Sequence, residues 1–331
     1  MGQPRLRTEN QDLGGDSCEA HQHCQGRRAR QGGDPVRLSD AANSHRIVTV
    51  ELIPNRVIPA HLPILQGRVD AITIPALRNG ENDLSYPTGF RVTPQTRSLA
   101  SAVIVRKTGA EAVPSLTCRD FRRSDLALVR SLFKKGLDNF LVVFGDPYPG
   151  HRIEDYDFRK TEDLIRAVLS TFDGQHPCIG AVTNQYAEDQ ERETWRTLRK
   201  VDAGADYIVT NTAFDDESVL DHVDKLRSQG LRVPIFVQVS IPSGLKNLLF
   251  VSQKFGIPVP ERVRQILSRN PFGGGIRIAA EAYTALRTEV NGIHFSYLHR
   301  SHNPIPAYTH LLDTIETDGQ LTVSIQAALR H

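Results

Sequence analysis

The sequence predicts an α/β fold of the (β/α)8 class, a single TIM barrel behind a polar N-terminal leader. Three observations predict it. From Arg46 onward short β-branched runs alternate with longer amphipathic stretches, and eight such runs occur before residue 300. No Gly-rich phosphate turn follows the first run, where an open doubly wound sheet, the structural rival, would normally carry one. A chain of 331 residues with 39% hydrophobic content can fill one large core or two small ones.

Residues 1–45 are rich in Gln, Gly, Arg, Asp, Asn and Ser, with isolated hydrophobic residues, and read as a disordered leader or an over-extended start to the reading frame. Cys18, His21, His23 and Cys24 are metal-ligand types at close spacing, but no second ligand cluster accompanies them, and no metal site is assigned. Gly26-Arg27-Arg28-Ala29-Arg30 is followed by no apolar segment, which argues against an export signal.

The first strand is Ile47-Val48-Thr49-Val50-Glu51-Leu52-Ile53-Pro54. Val, Ile and Thr favour the pleat, and Pro54 ends it. Glu51 sits near the far end of this run, where a charge is costly without a role or a partner. Pairing with Arg56 or Arg68 is the bland reading of it.

The remaining strands are expected at Val69 to Thr73, Ala112 to Leu116, Phe140 to Phe144, Cys178 to Val182, Tyr207 to Thr210, Pro234 to Val239 and Gly292 to Phe295. Helical spacing of apolar residues places helices at Ser124 to Lys135, Thr161 to Phe172, Glu188 to Ala203, Glu217 to Gln229 and Ile276 to Val290. Pro258 to Gly275 adds a helix-like stretch and a Gly273-Gly274-Gly275 loop, either a lid over the mouth or a surface excursion. The barrel domain is expected over 46–315, with a packed helix near Leu311, Leu312 and Ile315 and a tail over 316–331.

In a barrel the chemistry lies at the carboxyl ends of the strands. There the sequence offers Glu51, Thr73, Asp146, Thr183, Asn184, Gln185, Asn211, Gln238, Ser296, Tyr297 and Arg300. Two acids among several amides suit a flat, nitrogen-rich, uncharged or transiently cationic substrate better than a phosphate. Asp146 also reads as an ordinary Gly-Asp-Pro turn residue.

A net charge of +2 gives no reason to expect nucleic acid, and no window approaches the roughly 18 apolar residues of a membrane span. Cys118 and Cys178 lie in apolar runs and read as reduced core residues of a cytoplasmic protein. Oligomeric state is not legible.

Five segments carry a resemblance. Val50-Glu51-Leu52-Ile53-Pro54, Leu116-Thr117-Cys118-Arg119-Asp120, Phe144-Gly145-Asp146-Pro147, Val201 to Thr210 followed by Phe214-Asp215, and Gly292-Ile293-His294-Phe295 with Arg300 after it resemble, in order, segments of the methylenetetrahydrofolate reductases. The resemblance covers roughly 47–300. It implies a (β/α)8 enzyme that reduces 5,10-methylenetetrahydrofolate to 5-methyltetrahydrofolate with NADH or NADPH. Glu51 would be the general acid that opens the ring, and Asp146 would stabilise the iminium cation. Asn211 stands where the family has a Gln on the pterin; Thr73 and Gln238 would be polar neighbours, and Arg300 would hold the glutamate tail. FAD is the family cofactor, with Thr117, Thr183, Asn184 and Gln185 as its candidate contacts here.

The departures fall on the flavin side. Ser115-Leu116-Thr117-Cys118 stands for His-Leu-Thr-Cys, Phe144-Gly145-Asp146 for Arg-Gly-Asp, and Thr183-Asn184-Gln185-Tyr186-Ala187-Glu188 for the Tyr-Pro-Glu-Gly-His loop. Charge-assisted contacts of roughly 1.5–3 kcal/mol each are lost, which favours direct hydride transfer without FAD. The alternative from another class is a pterin-binding, methyl-transferring barrel without a redox step.

Overall fold

The computed structural model describes residues 36–78, 93–298 and 303–328, with side chains described as far as residue 317. Eight parallel strands close into a barrel in chain order: β1 (Ile47–Glu51), β2 (Ala71–Ile74), β3 (Ala112–Thr117), β4 (Asn139–Val143), β5 (Cys178–Val182), β6 (Tyr207–Val209), β7 (Ile235–Pro242) and β8 (Gly292–Leu298). The ring closes where β1 meets β8, with Thr49 opposite His294 and Val50 opposite Phe295. The fold is the (β/α)8 barrel expected from the strand–helix alternation.

A short helix α1 (Leu38–Ala41) precedes β1. Helices α2 (Pro94–Lys107), α3 (Leu126–Phe133), α4 (Thr161–Leu169), α5 (Gln190–Asp202) and α6 (Asp216–Ser228) follow β2 to β6 in turn. After β7 come three helices, α7 (Leu245–Phe255), α8 (Glu261–Arg269) and α9 (Pro271–Leu286), and α10 (Ile305–Ala328) follows β8. Between β1 and β2 only 3-10 turns form, at Pro54–Arg56 and Pro59–Ile64. Pro54 and Pro59 start these turns, and Pro63, inside the second, lacks the N–H that an α-helix would need there.

Strand alternation sorts the core into two shells. Val48, Val50 and Leu52 face outward and pack with Ile72, Leu116, Phe140 and Ile293 under the helices. Ile47 faces inward with Ala71, Val113, Cys178, Tyr207 and Phe236. Tyr207 and Phe236 stack inside the barrel with centroids 4.8 Å apart. Small neighbours make this possible: a Cβ on Gly180 would lie 2.3 Å from the Tyr207 ring, and one on Gly292 would lie 2.8 Å from Phe236.

Three expectations need correction. The leader does not extend through residue 45, because residues 36–45 are folded and close the amino end of the barrel. Leu38 is 2% exposed inside it, its N–H donates to Asn139 Oδ1, and Arg37 pairs with Asp206 at 2.9 Å. Leu38 and Ala41 looked isolated among polar residues, but their i, i+3 spacing gives one buried face. Gly273-Gly274-Gly275 is not a loop but the first turn of α9, where a Cβ on Gly275 would lie 2.0 Å from Pro242 O. The segment after residue 315 continues α10 to Ala328 without a break. Cys18, His21, His23 and Cys24 lie outside the described residues.

Cys118 and Cys178 are buried and unpaired. Burial pushes their thiols up to about 12 and about 11, so both are inert core residues. Among the described residues no helix is long and apolar enough to cross a membrane.

Candidate active site

The interior becomes polar towards the carboxyl ends of the strands. Thr49 and His294, paired in register, share a hydrogen bond of 2.8 Å between Oγ1 and Nδ1. With Thr73 they line a void of about 10 Å³, room for at most one water. Burial pulls the His294 imidazole down to about 4, so it is neutral at pH 7 and seals the floor of the mouth.

Glu51 is two residues beyond Thr49 and therefore shares its inward face, opposite Thr73 in the β1–β2 register. It is half-buried at the strand end. Its backbone carbonyl accepts a 2.6 Å hydrogen bond from the Tyr308 hydroxyl of α10. Burial, and then the nearby Glu51 carboxylate, push the Tyr308 phenol well above its ordinary range, so it remains a donor. The end of β1 is thus fixed by a fully buried tyrosine.

Asp146 follows β4 and is exposed, its side chain 63% accessible. Its Oδ2 lies 3.6 Å from Lys254 Nζ near the end of α7, so the helix after β7 reaches across to the loop after β4. Beneath it, Arg119 and Asp120 form a buried pair at 2.7 Å. The Arg119 guanidinium also donates to the Ala76 and Asp146 carbonyls and lies 5.2 Å from the centre of the Tyr148 ring. The Tyr148 hydroxyl donates to Asp120 Oδ1 at 2.6 Å. The hydrogen bonds of this desolvated pair tie the ends of β2, β3 and β4 together, and of the Arg119 side-chain nitrogens only Nε is left without a partner among the described residues.

Amides and hydroxyls complete the rim on the other side. Asn211 Nδ2 donates to Asn184 Oδ1 at 3.2 Å, which brings these two predicted residues together. Gln185 is turned down instead: its amide donates to Asn211 O and accepts from Asn211 N, clamping the end of β6. Gln238 donates to Ser296 Oγ at 3.2 Å, and Ser296, Ser240 and Thr212 continue the chain of hydroxyls.

Two predicted positions are engaged elsewhere. Thr183 points away from the mouth, its hydroxyl 2.8 Å from Thr197 Oγ1 and 2.9 Å from His222 Nε2 between α5 and α6. Thr117 is buried and donates to Asp120 Oδ2 at 3.1 Å. Arg300 lies outside the described residues. Sequence reasoning assigned no role to Arg119, Tyr148 or Lys254. The first belongs to a segment already singled out, whereas nothing in α7 signalled that Lys254 would arrive opposite Asp146.

The arrangement offers one half-buried carboxylate, one exposed carboxylate and a rim of amides around a neutral floor. It can donate a proton from one side, stabilise a cation from the other, and hydrogen-bond a flat heterocycle between them.

Comparison with known proteins places the chain in a family. The family model "Methylenetetrahydrofolate reductase" matches residues 81–311, more than two thirds of the chain. The matched span begins after β2, so Glu51 and Thr73 precede it. Methylenetetrahydrofolate reductase 1 of Schizosaccharomyces pombe is 29% identical over 165 residues, covering 46% of this chain and 26% of its own. The 5,10-methylenetetrahydrofolate reductase of Salmonella typhimurium is 28% identical over 158 residues, 47% of this chain and 53% of its own. The chain thus spans about a quarter to a half of the length of these relatives. A solved structure from Clostridium thermocellum, described as binding two copies of 5-methyl-5,6,7,8-tetrahydrofolic acid, shares the fold with a TM-score of 0.58 at 15% identity, covering 85% of this chain and 99% of its own.

Proposed function

This chain belongs to the methylenetetrahydrofolate reductase family, and from that premise we propose that it reduces 5,10-methylenetetrahydrofolate to 5-methyltetrahydrofolate with a reduced nicotinamide. The observation that carries the reading is the position of Glu51 on the inward face of β1, above the neutral Thr49–His294 floor and at the edge of the mouth. The substrate's five-membered ring opens when N10 is protonated, leaving an iminium cation at N5. Glu51 is the proton donor. Asp146, an exposed carboxylate across the mouth, stabilises the cation, and hydride from NADH or NADPH added to the methylene carbon completes the methyl group. One proton and one hydride are consumed, which balances the reaction.

Asn184 and Asn211 offer donors and acceptors to the pterin edge, and Gln238 and Thr73 lie at its sides. The Tyr308 phenol, held well above its ordinary range by burial, stays a donor to the Glu51 backbone carbonyl. Direct transfer without FAD is supported by the commitments of the flavin-side residues. Thr117 serves Asp120, Thr183 serves Thr197 and His222, and Gln185 serves the Asn211 backbone. These are three of the four candidate flavin contacts; the fourth, Asn184, stands at the rim with Asn211, and no step is assigned to a flavin.

Measuring NADH or NADPH oxidation dependent on methylenetetrahydrofolate, for the wild-type protein and Glu51→Gln, tests the assignment. Loss of turnover with folate affinity retained supports it; loss of both makes Glu51 a binding or structural residue. The folate-binding neighbour favours a second reading, a pterin-binding barrel that transfers or carries a methyl group. Under that reading the protein binds 5-methyltetrahydrofolate but oxidises no nicotinamide.

A further inference from the structure

A second site stands at the rim of the mouth, outside the residues used above. Between α8 and α9 runs a groove of about 320 Å³, walled by Arg262, Gln265, Arg269 and Arg277 with Gly273 and Gly274 as its floor. Helical spacing explains the convergence. Arg262, Gln265 and Arg269 occupy one face of α8 at i, i+3 and i+7, and Gly273, Gly274 and Arg277 occupy the facing side of α9. Gly274 lets the helices meet, since a Cβ there would lie 2.9 Å from Ile266 Cγ2. The atoms nearest a Cβ on Gly273 belong to the Asn270 amide, and its backbone lines the groove.

The charge is only partly neutralised. Glu281 accepts from both Arg262 and Arg277, the latter at 2.8 Å, and Asp216 also acts on Arg262. Arg269 has no acidic partner among the described residues. Arg262 and Arg277 each keep 65% of their side chains exposed, so their guanidinium forks retain free donors. The end of α9 is not the source of attraction, because Asn270 already accepts from Gly273 N–H. Guanidinium forks of this kind match phosphate and carboxylate oxygens.

The groove also adjoins the active-site mouth. Gly275, the next residue of α9, packs on Pro242 O, the last residue of β7. We propose that this groove holds the multivalent anionic end of a substrate whose ring is seated in the mouth. Two substrates carry such an end: the carboxylates of a folate's glutamyl chain, and the diphosphate of a nicotinamide dinucleotide. The proposal rests on the function proposed above for the seating of the ring, but the groove itself does not.

The test measures binding of 5-methyltetrahydrofolate with one and with four glutamyl residues, and of inorganic pyrophosphate, to the wild-type protein and to Arg269→Gln. Arg269 is exposed, so its loss leaves the fold intact, and an unchanged thermal midpoint verifies this. If the glutamyl chain occupies the groove, the tetraglutamyl form binds about tenfold more tightly than the monoglutamyl form. Added salt and Arg269→Gln both remove most of that advantage, lowering tetraglutamyl affinity more than monoglutamyl affinity. If the dinucleotide occupies it, pyrophosphate competes with NADH or NADPH, this competition is lost in Arg269→Gln, and chain length has no effect. A protein that binds pyrophosphate through Arg269 but neither folate keeps the groove and overturns the function. Chain-length indifference together with no pyrophosphate binding overturns the groove, whatever the mouth does.

Discussion

Lys254 Nζ lies 3.6 Å from Asp146 Oδ2, joining the helix after β7 to the loop after β4 across the mouth of the barrel. Both side chains are well exposed, at 40% and 63%, so the pair contributes little to stability. Its consequence is for access, because the carboxylate proposed to face a cationic intermediate is shared with a protein cation. Lys254→Met should leave the thermal midpoint within about 1 °C of wild type and lower KM for the folate about two- to fivefold, with kcat within about twofold. Steady-state kinetics would show it, and a raised KM would mean that Lys254 touches the substrate instead.

Glu51→Gln should reduce kcat by about 10² to 10⁴, the usual worth of a positioned general acid. Affinity for 5-methyltetrahydrofolate should stay within a few fold, since the amide keeps the volume and the Tyr308 bond is made by the Glu51 backbone. Titration calorimetry alongside the assay separates the two effects.

Stability should fall in acid because two buried histidines must charge. His294 and His222 are both held down to about 4 by burial, against an ordinary value of 6.5. The unfolded chain therefore binds two more protons than the folded one between these values. Stability is full above about pH 6.5 and is lost as pH falls towards 4, by about 3 kcal/mol per histidine. Glu111 acts oppositely: burial raises it to about 6, so its contribution falls as pH rises from about 4.5 to 6, by about 2 kcal/mol. The histidines win. Urea unfolding of wild type and His222→Gln between pH 4 and 7 should show a flatter profile in the variant.

Gly275→Ala should destabilise the barrel by about 1–3 kcal/mol or more, because the new methyl group would lie 2.0 Å from the Pro242 carbonyl and backbone must move. Gly273→Ala, whose Cβ would press on the Asn270 side chain that caps the helix, should cost about 1 kcal/mol, less than the substitution where backbone must move. Thermal melts of the two variants compare a close approach with a bare groove floor on one helix.

Much of the fold was legible because barrel strands advertise themselves. All eight strands overlap the β-branched runs, and β5 coincides with Cys178 to Val182. The β-branched run stopped by Pro54 also placed Glu51 near a strand end. What escaped depends on packing between distant segments. Leu38 is an ordinary residue in a polar stretch until the amino end of the barrel receives it. Three glycines look like a loop until α9 must approach Pro242 and Ile266. Thr183 ends a strand like a site residue, but the next position along an alternating strand faces the helices, and its hydroxyl goes to His222. Lys254 meets Asp146 only because the chain inserts α7 and α8 before α9.

The central claim is that hydride passes from a nicotinamide to the folate on this protein's own residues, with Glu51 as the acid. The most direct measurement is an anaerobic assay of the purified protein, its absorbance spectrum recorded first, following NADH and NADPH oxidation by methylenetetrahydrofolate with and without added FAD. The account predicts a colourless protein whose activity FAD does not change and Glu51→Gln abolishes. A yellow protein that releases stoichiometric FAD, or activity that appears only when FAD is added, contradicts it.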